Sequence, residues 1–366
     1  MKIDCVVGAR PNFIKISPLI AEMARRSLRC RLIHTGQHYD YDMNDKFFEE
    51  LNIPSPDVNL GIGSNAHGRQ TGQAMIALEE EFLKDRPDLV LVVGDVNSTL
   101  AGALAAVKLN IPVAHVEAGY RSFDRRMPEE INRVLVDHSA ELLFAPTRDA
   151  VDNLIKEGID HSKVHFVGNI MAETLLRNRE KIRTRNKCDQ FQVRPRGYAI
   201  ATIHRPENVD DMNQLARIMG AFSEAPLPVI LPLHPRTKKR MKEFGIQLDP
   251  RRNLTATESL SYLDMLNMIS NAALVVTDSG GVQEEACLLQ VPCLTIRSST
   301  ERIATIRAGA NRLIATDGNS ILASISELAQ KVAENRIVPW QVPPKWDDQV
   351  SKRVMDSIET IMTGLL

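Results

Sequence analysis

Short apolar runs alternate with amphipathic stretches along nearly the whole chain, and this alternation restricts the folds open to it. Strand-like runs fall at 3–7, 31–34, 89–93, 112–116, 141–145 and 163–167, with helical periodicity at 12–24, 69–84, 99–109, 129–140 and 148–157. The cycle restarts at 197–203, 228–233, 273–277, 292–296 and 312–316, with helices near 211–223, 261–271, 282–290 and 320–334. Strands covered on both faces read as continuous apolar runs, and the helices between them provide the crossovers that parallel neighbours require. The pattern predicts an α/β protein with two Rossmann-like, doubly wound parallel-sheet domains. The polar, aperiodic stretch 184–197 marks the seam, and the helix at 170–183 could belong to either side. We place the domains at 1–169 and 170–346. A Pro-rich segment with both tryptophans, 338–346, precedes a last helix that carries Val350, Val354, Ile358 and Ile361 on one stripe.

Composition removes several function classes. The 366 residues carry a formal net charge of −1, which gives no general nucleic-acid surface. No stretch reaches the roughly 20 apolar residues that span a bilayer. The N-terminus runs straight into a strand, so no secretory signal is expected. The five cysteines are odd in number and scattered, forming neither a disulfide framework nor a zinc pattern. A reducing cytoplasm is the expected setting.

In open parallel sheets, ligands bind beyond the carboxyl ends of the strands. Polar residues concentrate there. The first strand ends in Gly8-Ala9-Arg10-Pro11-Asn12-Phe13-Ile14-Lys15, a tight turn with two cations before a helix whose first N–H groups can meet an anion. The segment matches neither G-x-G-x-x-G nor G-x-x-x-x-G-K-[ST]. The run 88–93 ends in Gly94-Asp95, and the next ends in His115-Val116-Glu117-Ala118-Gly119. Asp95 has the ordinary alternative of a helix cap, but glutamate is a poor turn residue. Two carboxylates at successive strand ends suit acid–base chemistry, whereas His115, inside its strand, reads as a core histidine. Pro128-Glu129-Glu130 opens a helix, with Arg133 on the face of Glu129. The second half adds His204-Arg205-Pro206-Glu207-Asn208 and Thr277-Asp278-Ser279-Gly280-Gly281, the latter a plausible diphosphate cradle. Together these residues suggest a nucleotide or nucleotide-sugar ligand between the halves, with acid–base chemistry on the sugar.

Taken in order, these segments resemble the UDP-N-acetylglucosamine 2-epimerase family, particularly its non-hydrolysing branch. The matching stretches are Gly8-Ala9-Arg10-Pro11, Thr35-Gly36-Gln37-His38, Gly94-Asp95, His115 to Gly119, Pro128 to Arg133, His204 to Asn208, Thr277 to Glu285 and Thr300-Glu301-Arg302. The resemblance implies a GT-B-like fold, a last helix (347–366) returning to the first domain, a homodimer, no cofactor and no metal. It also implies interconversion of UDP-GlcNAc and UDP-ManNAc by elimination and re-addition of UDP through 2-acetamidoglucal, in the context of cell-surface polysaccharide biosynthesis. Carried over by position, Asp95, Glu117 and Glu129 are the active-site carboxylates. Arg10, Lys15, His204, Ser279 and Gly280 contact phosphate, with Arg133 and Gly281 beside them, and His204 is also grouped with the catalytic residues. Glu285 matches the ribose-binding glutamate. Gln37, His38, Arg69 and Gln70 fall where some members bind a second UDP-GlcNAc.

Some residues depart from the family pattern. Asn12 stands where the first motif has glutamate, Ile303 and Ala304 replace a Pro-Glu pair, and Met265 stands where some members place an aromatic on the uracil. These changes bear on sugar and base specificity more than on reaction type. The alternatives are a 2-epimerase of a modified UDP-sugar such as UDP-2,3-diacetamido-glucuronate, a hydrolysing epimerase, a GT-B glycosyltransferase, and a regulatory nucleotide-sugar binder without turnover.

Overall fold

The computed structural model describes residues 1–37 and 48–365. Among these residues the strands form two all-parallel sheets. The first has the order β3-β2-β1-β4-β5-β6-β7 and the second β10-β9-β8-β11-β12-β13. In the first unit the strands are β1 (Lys2–Val7), β2 (Arg29–His34), β3 (Val58–Asn59), β4 (Leu89–Val93), β5 (Val113–Val116), β6 (Leu142–Ala145) and β7 (Val164–Phe166). In the second they are β8 (Ala199–Thr202), β9 (Val229–Pro232), β10 (Leu254–Thr257), β11 (Leu274–Thr277), β12 (Cys293–Ile296) and β13 (Asn311–Ile314). Both orders reverse beside the first strand of their unit, between β1 and β4 and between β8 and β11, the switch points where loops diverge and leave room for a ligand.

The central strands are apolar because helices cover them on both sides. In the first unit, Val90 and Val92 of β4 pack with Leu78 and Phe82 of helix His67–Lys84 and Ala103 of helix Asn97–Lys108. In the second, Ala201, Leu231 and Val276 pack with Leu215, Ile218 and Phe222 of helix Met212–Ser223.

The compact units are Met1–Arg177 with Pro344–Leu366, and Asn178–Pro343. The units part eight residues beyond the domain boundary at 169/170 and before the 184–197 stretch, because helix Ile170–Arg177 stays with the first unit. Thr174 donates to the carbonyl of Ile14 at 2.7 Å, and buried Glu173 accepts from the N–H and hydroxyl of Ser351, both at 2.6 Å. Asn178 interrupts the single helix expected over 170–183, and a separate helix follows at Arg179–Arg183. The last helix, Val350–Leu365, lies against helix Arg10–Arg25, where Arg26 donates to Glu359 at 2.6 Å and to Asp356 at 2.7 Å. None of the described helices is long and apolar enough to cross a membrane.

The sequence reading did not include β3, β10, helix Pro235–Glu243 or the short helices Lys187–Gln190, Pro206–Val209 and Ile303–Arg307. β10, Leu-Thr-Ala-Thr, is an edge strand with a single fully buried side chain, so it lacks an apolar run. Helix Pro235–Glu243 buries only Thr237 and Met241, too few to show a period.

Candidate active site

The turn after β1 is closed by a side chain. Asn12 Oδ1 accepts from the N–H groups of Gly8 at 3.1 Å and Ala9 at 3.0 Å, while its amide donates to the carbonyl of Val93 at 2.9 Å. This residue departs from the family motif and is buried. It pins the first turn to the end of β4. Arg10 and Pro11 then open the helix, where proline is favourable because its missing N–H would have no intrahelical partner.

Lys15, one turn into that helix and 5% exposed, forms an ion pair with the carboxylate of Glu117, which is 8% exposed. Glu117 follows β5 with φ +80°, the left-handed region that costs a non-glycine residue about 1–3 kcal/mol. The N–H groups of Glu117 and Ala118 both reach the carbonyl of Phe144, at 3.1 and 3.2 Å, and hold the strained turn. Such an outlier under a carboxylate points towards function.

Between these two turns, β4 ends at Gly94, whose φ is +69°. That conformation favours glycine, and a Cβ there would lie 2.7 Å from Lys15 Nζ and push the lysine end aside. The partly buried side chain of Asp95 receives Arg133 Nη2 at 2.5 Å, and Arg133 Nη1 donates to Glu130 at 2.8 Å. Glu130 also accepts from Ser122 N and Oγ, each at 2.9 Å, and from Phe123 N at 2.8 Å. The two adjacent glutamates therefore divide their work. Glu130 is buried and organises the loop, whereas Glu129, half-buried in the first helical turn, has no hydrogen-bond or ion-pair partner among the described residues.

Gln37 Oε1 accepts from Ser98 N at 3.1 Å and Ser98 Oγ at 2.7 Å. The Gln70 amide donates to Gly63 O at 2.8 Å and accepts from Asn97 Nδ2 at 2.8 Å. Asn97 Oδ1 in turn accepts from Asn132, whose amide also donates to the carbonyl of Asp95 at 2.9 Å. Arg69 is exposed beside Gln70. His38 lies outside the described residues.

In the second unit, Asp278 follows β11 and is fully buried. It accepts from the backbone N–H of His204 at 2.9 Å, the N–H of Arg205 at 2.9 Å and the Asn208 amide at 3.0 Å. His204 Nδ1 lies 3.0 Å from its carboxylate. Burial alone would raise the Asp278 pKa, but the His204 ring and these hydrogen bonds hold it at about 2. Asp278 therefore fixes the turn that presents His204. Ser279 is the N-cap of helix Gly280–Leu288, with Gly280 and Gly281 in its first turn. A Cβ on Gly280 would sit 2.7 Å from Glu301 Oε1 and 3.4 Å from Arg302 Nε, so the Thr300-Glu301-Arg302 segment packs against this helix start. Arg302 pairs with Glu284 at 3.1 Å and Arg297 with Glu301 at 3.0 Å. Glu285 is buried, and burial together with neighbouring Glu284 pushes its pKa up to about 8. Burial thus favours the protonated carboxyl, which can both donate and accept. Met265 is partly exposed on helix Tyr262–Asn271.

The structure brings Arg10, Lys15, Asp95, Glu117 and Arg133 to the carboxyl end of the first sheet, with Glu129 at the adjoining helix start. It brings His204, Ser279, Gly280 and Gly281 to the switch point of the second sheet, with Glu285 one turn into the helix. Among the described residues no group of three or more His, Cys, Asp or Glu could hold a metal ion. Sequence reasoning missed Asn12 as the lock on the first turn, Glu130 as distinct from Glu129, and Asp278 as the anchor of His204.

Two Rossmann-like parallel units, each with polar and charged residues gathered at its strand ends, place the chain in the GT-B-like fold class. Residues 21–359 match the family model described as UDP-N-acetylglucosamine 2-epimerase, and the chain belongs to that family of isomerases. It is 45% identical over 340 residues to the UDP-N-acetylglucosamine 2-epimerase of Methanocaldococcus jannaschii, covering 90% of this chain and 93% of that one. It is 43% identical over 330 residues to the UDP-2,3-diacetamido-2,3-dideoxy-D-glucuronate 2-epimerase of Pseudomonas aeruginosa, covering 88% and 91%. The crystal structure of the M. jannaschii enzyme in complex with UDP-GlcNAc and UDP superposes with a TM-score of 0.90 at 42% identity, over 98% of this chain and 100% of that one.

Proposed function

We propose that the protein interconverts UDP-GlcNAc and UDP-ManNAc without hydrolysis and without a nicotinamide. The observation that carries this reading is the pairing of carboxylates with cations at one sheet end, Lys15 with Glu117 and Arg133 with Asp95. The proton at C2 has no adjacent carbonyl to acidify it, so the anomeric group must leave as that proton is taken. The C1–O bond to UDP breaks, a carboxylate takes the C2 proton, and 2-acetamidoglucal results. UDP then adds back at C1 while a proton arrives at C2 from the other face. Arg10, Lys15, His204 and the Ser279-Gly280-Gly281 helix start supply positive groups for the departing diphosphate. Asp95, Glu117 and Glu129 supply acid–base groups, and Glu285 contacts the ribose.

A modified UDP-sugar is the second reading, favoured by Asn12 in the first turn and by the likeness to the P. aeruginosa enzyme. Incubation with each UDP-sugar alone, followed by NMR of the products, separates the readings. Two UDP-sugars at equilibrium support epimerisation, and accumulation of the free sugar with UDP would replace it with hydrolysis. Gln37 and Gln70, which connect through Asn97 and Asn132 to Asp95, form the proposed path by which a second UDP-GlcNAc acts. A homodimer is supported by exposed Ile76 and Leu83 on helix His67–Lys84 and Leu135 on helix Pro128–Ser139. The free cysteines fit a cytoplasmic setting.

A further inference from the structure

His115 lies in β5, two residues before Glu117, and is fully buried. Its Nδ1 is 2.6 Å from Asp137 Oδ1 and its Nε2 is 2.8 Å from the carbonyl oxygen of Gly94. A carbonyl oxygen can only accept. Asp137, also buried, receives the Gly119 N–H at 3.0 Å and Arg121 Nη1 at 2.7 Å, both on Oδ2. Burial alone would raise the Asp137 pKa, but the His115 and Arg121 charges and hydrogen bonds hold it below the usual carboxylate range. Both ring nitrogens of His115 therefore face oxygen atoms, and Nε2 donates to the Gly94 carbonyl, which can only accept. Arg121 continues to Glu157 through two bonds of 2.7 Å.

The outer bonds of this pair end on backbone atoms beside the two carboxylates. Gly94 immediately precedes Asp95, and the Gly119 N–H lies two residues past the strained Glu117. Asp137 stands one helical turn beyond Arg133, the residue that holds the Asp95 side chain. Burying charges is weak evidence for stability, since apolar replacements are often neutral or better. The network therefore calls for a role beyond packing. We propose that His115 and Asp137 are positioning residues that fix the peptide before Asp95 and the turn around Glu117, setting the placement of the two carboxylates relative to each other. The proposal rests on the reading of Asp95 and Glu117 as acid–base groups.

The test compares His115→Gln, His115→Asn and Asp137→Asn with the wild-type enzyme. A glutamine amide can reach the Gly94 carbonyl as Nε2 does, whereas an asparagine amide reaches only towards Asp137. His115→Asn should lose about 10²-fold in kcat, the scale for misplacing a reacting group by about 1 Å. KM and the Kd for UDP should stay close to wild type, and His115→Gln should recover part of the loss. Asp137→Asn should lower kcat and release more 2-acetamidoglucal per epimer formed. Wild-type kcat in folded His115→Asn or Asp137→Asn would overturn the proposal. If no variant folds, ¹⁵N NMR of the histidine-labelled wild-type protein decides the matter. A slowly exchanging Nε2–H held on the Gly94 carbonyl supports the clamp, and an Nε2 that carries no proton or exchanges it freely overturns it. A wild-type protein that epimerises neither UDP-sugar would refute the functional reading instead, which keeps the two failures distinct.

Discussion

Lys15 reaches the Glu117 carboxylate across the carboxyl end of β4, joining the turns that follow β1 and β5. The pair forms because β4 lies between those strands and is followed by Gly94, which has no side chain to crowd the lysine. A cation that can attract diphosphate and a carboxylate that can move a proton therefore meet at the switch point of the first sheet.

Removing one member of this pair strands the other in a buried site. Lys15→Ala should destabilise the protein by about 3 kcal/mol, the low end for breaking a buried ion pair. Adding Glu117→Gln should recover part of that loss. Urea midpoints of the two single variants and the double variant measure the coupling. A Lys15→Ala midpoint equal to wild type would show that the pair carries no such energy.

Arg10 and Glu285 should differ in kind when each is changed to alanine. In the proposed reaction Arg10 stabilises the developing charge on the leaving diphosphate, so its loss should lower kcat by roughly 10²–10³, the scale for one electrostatic donor. Glu285 is proposed to meet the ribose, a part of the ligand that does not react, so its loss should mainly raise KM. Steady-state kinetics decide this, and a Glu285→Ala enzyme without turnover at saturating substrate would remove the ribose role.

Glu285 also gives stability a defined pH dependence. Its pKa rises from an ordinary 4.5 to about 8 through burial and the nearby Glu284. The folded state therefore binds this proton more tightly than the unfolded chain. The contribution is complete below the unfolded pKa and is lost as pH climbs towards the folded one. Melting temperatures of Glu285→Gln relative to wild type should rise steadily across that interval. A difference that does not vary with pH would contradict the shift.

The last helix should depend on Glu173, which is buried and accepts two hydrogen bonds from Ser351. Glu173→Ala leaves the Ser351 N–H and hydroxyl without that acceptor, a loss of about 1–3 kcal/mol for a buried donor. Amide exchange over residues 350–363 should accelerate more than exchange in β8 or β11. Equal acceleration everywhere would mean that the helix is not held locally.

The parallel sheets were legible because strands buried on both faces leave unbroken apolar runs, as Leu89–Val93 does. Glu117 stood out because glutamate is a poor turn residue, and its φ of +80° shows the strain behind that choice. Asn12, Asp137 and Asp278 were not legible as anchors. Each is one polar residue with at least one backbone partner distant in sequence, and periodicity carries no trace of such a partner. The boundary after Arg177 was hidden for a similar reason. The bonds that fix helix Ile170–Arg177 run to Ile14 and Ser351, far away along the chain.

The central claim is elimination of UDP followed by re-addition, with a proton leaving one face of C2 and another arriving at the opposite face. Turnover of UDP-GlcNAc in D₂O, followed by NMR of both UDP-sugars, tests it most directly. The account predicts deuterium at C2 of the product from the first turnovers onward. Full retention of the substrate's own C2 hydrogen, with no solvent isotope incorporated, would contradict it.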